Sequence, residues 1–182
     1  YRGYKNPFSI SVPGVSNQLL DVKCSGASVS KNGDTWIIVP GANSPDKMSI
    51  EVYAKMGNSS RMMGSHTYRI KNLPPPNAYF EVNGVPSDSE KQSLRALTNP
   101  NNKLIASYGT DGLVQAKFDI VSFYVKLPSG IAVSVKGDRM DKRAISEIRQ
   151  LQQGNQITIM NIKAKGPDGR EIQLRSLPIE LR

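Results

Sequence analysis

Leu73-Pro74-Pro75-Pro76 constrains this chain more than any other stretch. Three consecutive prolines remove three backbone donors and fix φ, so neither a helix nor a central strand passes through them. Such a run favours a short, stiff polyproline II connector that sets the angle between its neighbours. The 182 residues are therefore expected to form two domains, residues 1–73 and 77–182, joined by a linker at 74–76. Leu73, Pro74, Pro75 and Pro76 are the expected interdomain hinge.

Each part is long enough for its own modest core. Hydrophobic residues make up 38% and charged residues 21%, the balance of a folded chain rather than a disordered one. No run of about 18 apolar residues occurs, so nothing reads as a membrane-spanning helix. No signal peptide is recognisable. The chain starts at Tyr1 rather than Met, as expected of a fragment or processed product from which a targeting or anchoring segment can have been lost.

The net charge of +9 divides into +5 up to Pro76 and +4 beyond it. Charge spread this evenly reads as solvated strand faces rather than a groove for nucleic acid. With a single cysteine, Cys24, and a single histidine, His66, an intramolecular disulfide and a Cys/His zinc site are both excluded within one chain. Cys24 is expected as a small buried residue, and His66 as a packed, hydrogen-bonded strand residue. No cofactor and no metal are expected.

Before the prolines the pattern is strands and turns. Phe8-Ser9-Ile10-Ser11-Val12 alternates and stops at Pro13-Gly14. Trp36-Ile37-Ile38-Val39 is a continuous apolar run, as in a strand buried on both faces, and Asn32-Gly33-Asp34 before it is a turn signal. Met48, Ile50, Val52, Ala54 and Met56 share one face of a strand. The glycine-bounded stretch from Gly57 to Gly64 lacks the Gly-Lys-Ser/Thr of a phosphate loop and reads as a hairpin turn, followed by a run placing His66, Tyr68 and Ile70 together. Short strands, frequent turns and no convincing helix predict an immunoglobulin-like β-sandwich.

Beyond the prolines a short helix is expected between Ser87 and Leu97, with Ser and Asp upstream as caps, and a strand near Leu104–Tyr108 before the turn Gly109-Thr110-Asp111-Gly112. From Leu113 to Leu127 the alternation slips: Val114, Ala116, Phe118 and Ile120 hold one phase, and Val121, Phe123, Val125 and Leu127 the other. A period-two pattern that slips by one residue implies a bulge near Ile120-Val121. Pro128-Ser129-Gly130 turns into Ile131, Val133 and Val135. Asp138 to Gln153 is the one strong helical pattern, with Ala144, Ile145, Ile148 and Leu151 on one side, Asp138 or Asp141 as cap, and Gly154 at its end. Strands then follow over Ile157–Lys165, through Ile172 and Leu174, and from Leu177 to Leu181. The fold class is thus mainly β: an N-terminal immunoglobulin-like β-sandwich followed by a smaller α+β domain, a β-sheet with one main helix.

No reactive constellation emerges. Asp138 and Asp141 are paired carboxylates, but helix capping accounts for both. Asn58-Ser59-Ser60 matches a glycosylation acceptor within an expected turn. Lys136-Gly137-Asp138-Arg139 contains an adhesion-like tripeptide that a strand-to-helix junction explains. Tyr1, Tyr4, Tyr53, Tyr79 and Tyr124 are too scattered to form a stacking platform. An enzyme is not expected, and partner-binding residues are not identifiable.

Four segments carry a resemblance: Tyr4 to Val15, Tyr68 to Pro76, Phe118 to Val125, and Ile148-Arg149-Gln150-Leu151 through Gly154-Asn155 and Ile162-Lys163-Ala164 to Gly166-Pro167-Asp168-Gly169. In these the chain resembles the C-terminal periplasmic region of the gliding-motility and type IX secretion family GldM/PorM, closest to its PorM side. The resemblance implies a homodimer, anchored in the inner membrane by an N-terminal segment outside this chain, with successive periplasmic domains. It implies two further partners: an inner-membrane motor engaged through that segment, and an outer-membrane-associated ring of lipoprotein and partner subunit. The expected role is therefore non-enzymatic docking and force transmission in the periplasm. The rival expectation is an adhesin-like or carbohydrate-binding tandem of β-domains.

Overall fold

The structure is a computed structural model describing residues 1–87, 89–109, 112 and 114–182. The protein is mainly β, with several antiparallel sheets and few helices among the described residues. It divides into two compact units, Tyr1–Pro74 with Pro167–Gly169, and Pro75–Gly166 with Arg170–Arg182.

The first unit contains β1 (Asn6–Ser9), β2 (Leu20–Cys24), β3 (Ala27–Asn32), β4 (Thr35–Pro40), β5 (Lys47–Met56) and β6 (Ser59–Arg69). They form two three-stranded antiparallel sheets, ordered β1-β4-β3 and β2-β5-β6. Trp36 and Ile38 from the first sheet and Leu20, Val22, Ile50 and Val52 from the second belong to one core, so the unit is a β-sandwich. The β5 periodicity appears as expected for Met48, Ile50, Val52 and Ala54, which are buried, whereas Met56 at the strand end is exposed.

Several local expectations need correction. The apolar run of β4 is not buried on both faces: Trp36 and Ile38 are buried, while Ile37 and Val39 are only half-buried. The β1-β4-β3 sheet covers one side of the core with Trp36 and Ile38, and Ile37 and Val39 lie on its other side. β1 ends at Ser9, and the Pro13-Gly14 turn is closed by a lone bridge between Val12 and Val15. The turn after β5 is only Gly57-Asn58, with Gly57 at φ +59°, and Ser59 and Ser60 already lie in β6. A glycine with positive φ in a two-residue loop matches the twist of the flanking strands.

The second unit, expected as the smaller, is the larger. It holds β7 (Asn77–Val82), β8 (Val85–Ser87), β9 (Lys91–Gln92), α1 (Leu94–Thr98), β10 (Lys103–Ser107), β11 (Asp119–Lys126), β12 (Ala132–Lys136), α2 (Lys142–Ile148), β13 (Gln156–Lys165), β14 (Glu171–Gln173) and β15 (Leu177–Leu181). A three-stranded sheet runs β10-β7-β8, and a larger one runs β12-β11-β13-β15-β9, with β14 also paired to β13. Phe123, Val125, Val135, Ile148, Ile157 and Ile162 are completely buried.

The main helix is half its expected length. Asp141 caps it, accepting a hydrogen bond from the Ala144 amide at 2.8 Å, and Ala144 and Ile148 are its buried residues. Asp138 lies in the preceding turn. Beyond Ile148 the chain leaves the helix, and Gly154, at φ +83°, donates its N–H to the Leu181 carbonyl at 2.8 Å instead of capping. Ile145 and Leu151, expected on the core face, are half-buried. The short helix is α1, capped by Ser93. Asp88, Thr110, Asp111 and Leu113, which the sequence reading placed in a cap, a turn and a strand, lie outside the described residues.

The phase slip in β11 is a bulge. Against β13, Ile120 faces Ala164 and Ser122 faces Lys163, so Val121 is the extra residue, and a second shift follows between Ser122 and Tyr124. The carbonyl of Val121 accepts from the Gly137 amide at 2.8 Å. The segment from Val114 to Lys117, however, forms no strand; the ladder begins at Asp119, preceded by a bridge between Phe118 and Ala106.

Candidate binding surface

Eleven-residue β6 is the longest strand. It ends the β2-β5-β6 sheet and pairs with β5 alone among the described residues. Every residue of it except Gly64 is exposed. An edge strand this long leaves a row of backbone donors and acceptors free for another chain. A register shift opposite Val52 and Tyr53 interrupts it.

Apolar side chains cluster at the same hairpin. Met56, Met62 and Met63 are 51%, 48% and 38% exposed, which is unusual for residues that commonly fill cores and adapt to varied surfaces. Beside β6 lies a cavity of about 380 Å³, lined by Phe8, Ile10, Val12, Met63 and Tyr68 among others. Phe8 meets Tyr68 edge-to-face, with ring centroids 5.3 Å apart at 80°. The N-terminal segment is pinned nearby. Buried Arg2 donates to the Ser44 carbonyl and pairs with Asp46 at 2.8 Å, and its amide donates to the Lys71 carbonyl at 3.0 Å.

The electrostatics of this strand are one-sided. From Val52 to Phe80 the sequence carries Lys55, Arg61, Arg69 and Lys71 and no Asp or Glu. A second, shallower groove of about 440 Å³ lies in the other unit, where Pro100, Ile145, Lys142 and Arg149 come together.

His66 is not packed as expected. It is exposed on β6 and lines the groove beside it, because the sheet ends at β6 and no strand covers its far side. Cys24 ends β2 half-buried, and burial pushes its thiol pKa up. Tyr53 donates to Glu51 at 2.8 Å, and that hydrogen bond, followed by desolvation and the nearby negative charge, raises its phenol pKa. Asn58 occupies the tip of the β5–β6 turn. Gly137 and Asp138 form the junction between β12 and α2, as the Lys136–Arg139 reading expects. Among the described residues no group of three or more His, Cys, Asp or Glu is placed to hold a metal ion, and no helix is long and apolar enough to cross a membrane.

Residues 71–76 belong to no strand or helix. Leu73 and Pro76 are buried, while Pro74 and Pro75 are exposed. Two exposed prolines are therefore bracketed by a buried leucine and a buried proline.

Reading Gly57 to Gly64 as a turn hid the edge strand from the sequence. The available signal was length: a ten-residue β5 followed by Gly-Asn predicts an equally long partner across a two-residue loop.

Residues 1–71 match the family model described as the GldM third domain, and residues 74–182 match that described as the GldM C-terminal domain. No curated protein matches the chain.

Proposed function

Because the chain belongs to the GldM family, spanning its third and C-terminal domains, we propose that it docks to an outer-membrane-associated ring and transmits force there without catalysing a reaction. The family makes it a component of gliding-motility and type IX secretion machinery. On this reading it works in the periplasm as a homodimer, and its ring partners are the lipoprotein and its associated subunit. A motor in the inner membrane acts on it through a segment outside this chain. Leu73, Pro74, Pro75 and Pro76 form the hinge, with the stiffness of consecutive prolines limiting how far load bends the connection. The observation that carries the reading is the match of two consecutive domains of one family, end to end along the chain.

Size-exclusion chromatography with light scattering tests it, first on the chain alone and then with the purified ring subunits. The expected result is twice the 20.0 kDa chain mass and co-elution with the ring. A monomer that ignores the ring overturns the docking role; a specific, saturable signal on a glycan array then establishes the carbohydrate-binding alternative.

A further inference from the structure

We propose that the free edge of β6 is a strand-addition site for an extended segment of a partner protein in which apolar residues alternate with Asp or Glu. The hydrogen-bond phase of the sheet defines the edge. The Ile70 amide donates to the Asp46 carbonyl at 2.8 Å, so Asp46 and Ile70 are a hydrogen-bonded pair. In an antiparallel ladder such pairs alternate with non-bonded ones. Tyr68, His66 and Gly64, opposite Met48, Ile50 and Val52, therefore spend their backbone groups on β5. Arg69, Thr67 and Ser65, opposite Lys47, Ser49 and Glu51, point theirs away from it. The same phase appears across β5, where the Ser49 carbonyl accepts from Ser25 on the β2 side at 3.0 Å. At Lys71 the edge is closed by the Arg2 amide; among the described residues no other element pairs with Ser65, Thr67 or Arg69 along it.

The two faces of the edge ask for different side chains. Tyr68 and His66 sit opposite the core residues Met48 and Ile50, on the side of the cavity that Phe8, Ile10, Val12 and Met63 also line. A strand laid along β6 would send every second side chain towards that cavity. Its volume of about 380 Å³ is over twice the roughly 150 Å³ that holds a benzene-sized group, enough for two apolar side chains. The intervening side chains fall on the face of Arg69, which pairs across the ladder with Lys47 and is followed by Lys71, three cations at one end of the edge; Glu51, opposite Ser65 and engaged by the Tyr53 hydroxyl, lies further along it. Backbone pairing gives such a complex its affinity, and the alternating pockets and charges give its specificity. The inference does not depend on the ring-docking role, because it follows from the edge, the cavity and the charge.

The test uses the full chain and a synthetic nine-residue peptide of alternating Val and Glu, with a Val/Lys peptide as its counterpart. Binding is read by fluorescence anisotropy and by amide hydrogen exchange. The Val/Glu peptide should bind saturably and protect the Ser65, Thr67 and Arg69 amides, while the Val/Lys peptide should not bind. Thr67→Pro deletes an N–H that faces away from β5, a substitution edge strands tolerate, and should abolish binding while leaving the melting transition in place. Lys47→Glu with Arg69→Glu, a pair on that face, should weaken the Val/Glu peptide roughly tenfold and admit the Val/Lys peptide. Equal binding of both peptides, protection elsewhere, or unchanged binding by Thr67→Pro overturns the proposal. So does concentration-dependent protection of these amides in the free protein, which assigns the edge to a second copy.

Discussion

Two isoleucines three residues apart in α2 should respond very differently to truncation. Ile148 is completely buried, whereas Ile145 is half-buried beside the shallow groove. Ile148→Ala removes roughly three methyl or methylene groups at about 0.8 kcal/mol each. The cavity left in a close-packed interior adds about 1 kcal/mol more, giving a loss of roughly 3–4 kcal/mol. A seven-residue helix does not persist without tertiary packing, so little of this is recovered by relaxation. Ile145→Ala, removing at most half as much buried surface and leaving no closed cavity, should cost about 1 kcal/mol. In thermal unfolding followed by far-UV circular dichroism, Ile148→Ala should lower the transition of the second unit by roughly 12–20 °C. Trp36, the single tryptophan and a core residue of the first unit, provides an internal reference whose fluorescence transition should stay in place. Equal costs for the two variants would refute the assignment of α2's buried face.

Replacing Pro74, Pro75 and Pro76 with Gly-Ser-Gly should broaden the distribution of interdomain distances in small-angle scattering while both units stay folded; an unchanged profile would remove the prolines from the role of hinge. Burial raises the Cys24 thiol pKa above its ordinary value, so the reactive thiolate is scarce at neutral pH and accumulates only at higher pH than an ordinary cysteine needs. Alkylation by iodoacetamide should therefore be slow at pH 7 and accelerate later than that of a free cysteine measured alongside; a rate matching the free thiol at every pH contradicts the burial.

What was legible in the sequence was whatever one face of one element dictates. The β5 alternation, the Asp141 cap and the bulge near Val121 each rest on a local pattern with a single physical solution. The errors arose where neighbours decide. Ile37 and Val39 look like core residues, but they lie on the face of β4 away from the Trp36 and Ile38 core, so an apolar run became an alternating strand. Helical periodicity ran on through Leu151, yet the chain turns after Ile148 to enter β13, a choice made by the sheet. Asn83-Gly84, both at positive φ and joining β7 to β8, is by contrast a local hairpin signal of the same kind. The edge of β6 was hidden for a different reason: being an edge is a property of strand order, and no residue pattern within a strand reports it.

The bulge in β11 has a counterpart. Asn161 stands at φ +50° in β13, where the three steps from Met160 to Lys163 span what two steps span on β11 from Ser122 to Tyr124. Burial shifts phase there as well, from Ile157 and Ile159 to Ile162 and Ala164. One strand gains a residue and its neighbour gains one two positions on, so the pairing on both sides of the irregular patch is that of an unbroken ladder. Deleting either extra residue alone would turn half a strand inside out, while deleting both would leave the register intact. What these two strands must hold in common is therefore the number of their residues, a form of dependence that comparing amino-acid identities position by position would never detect.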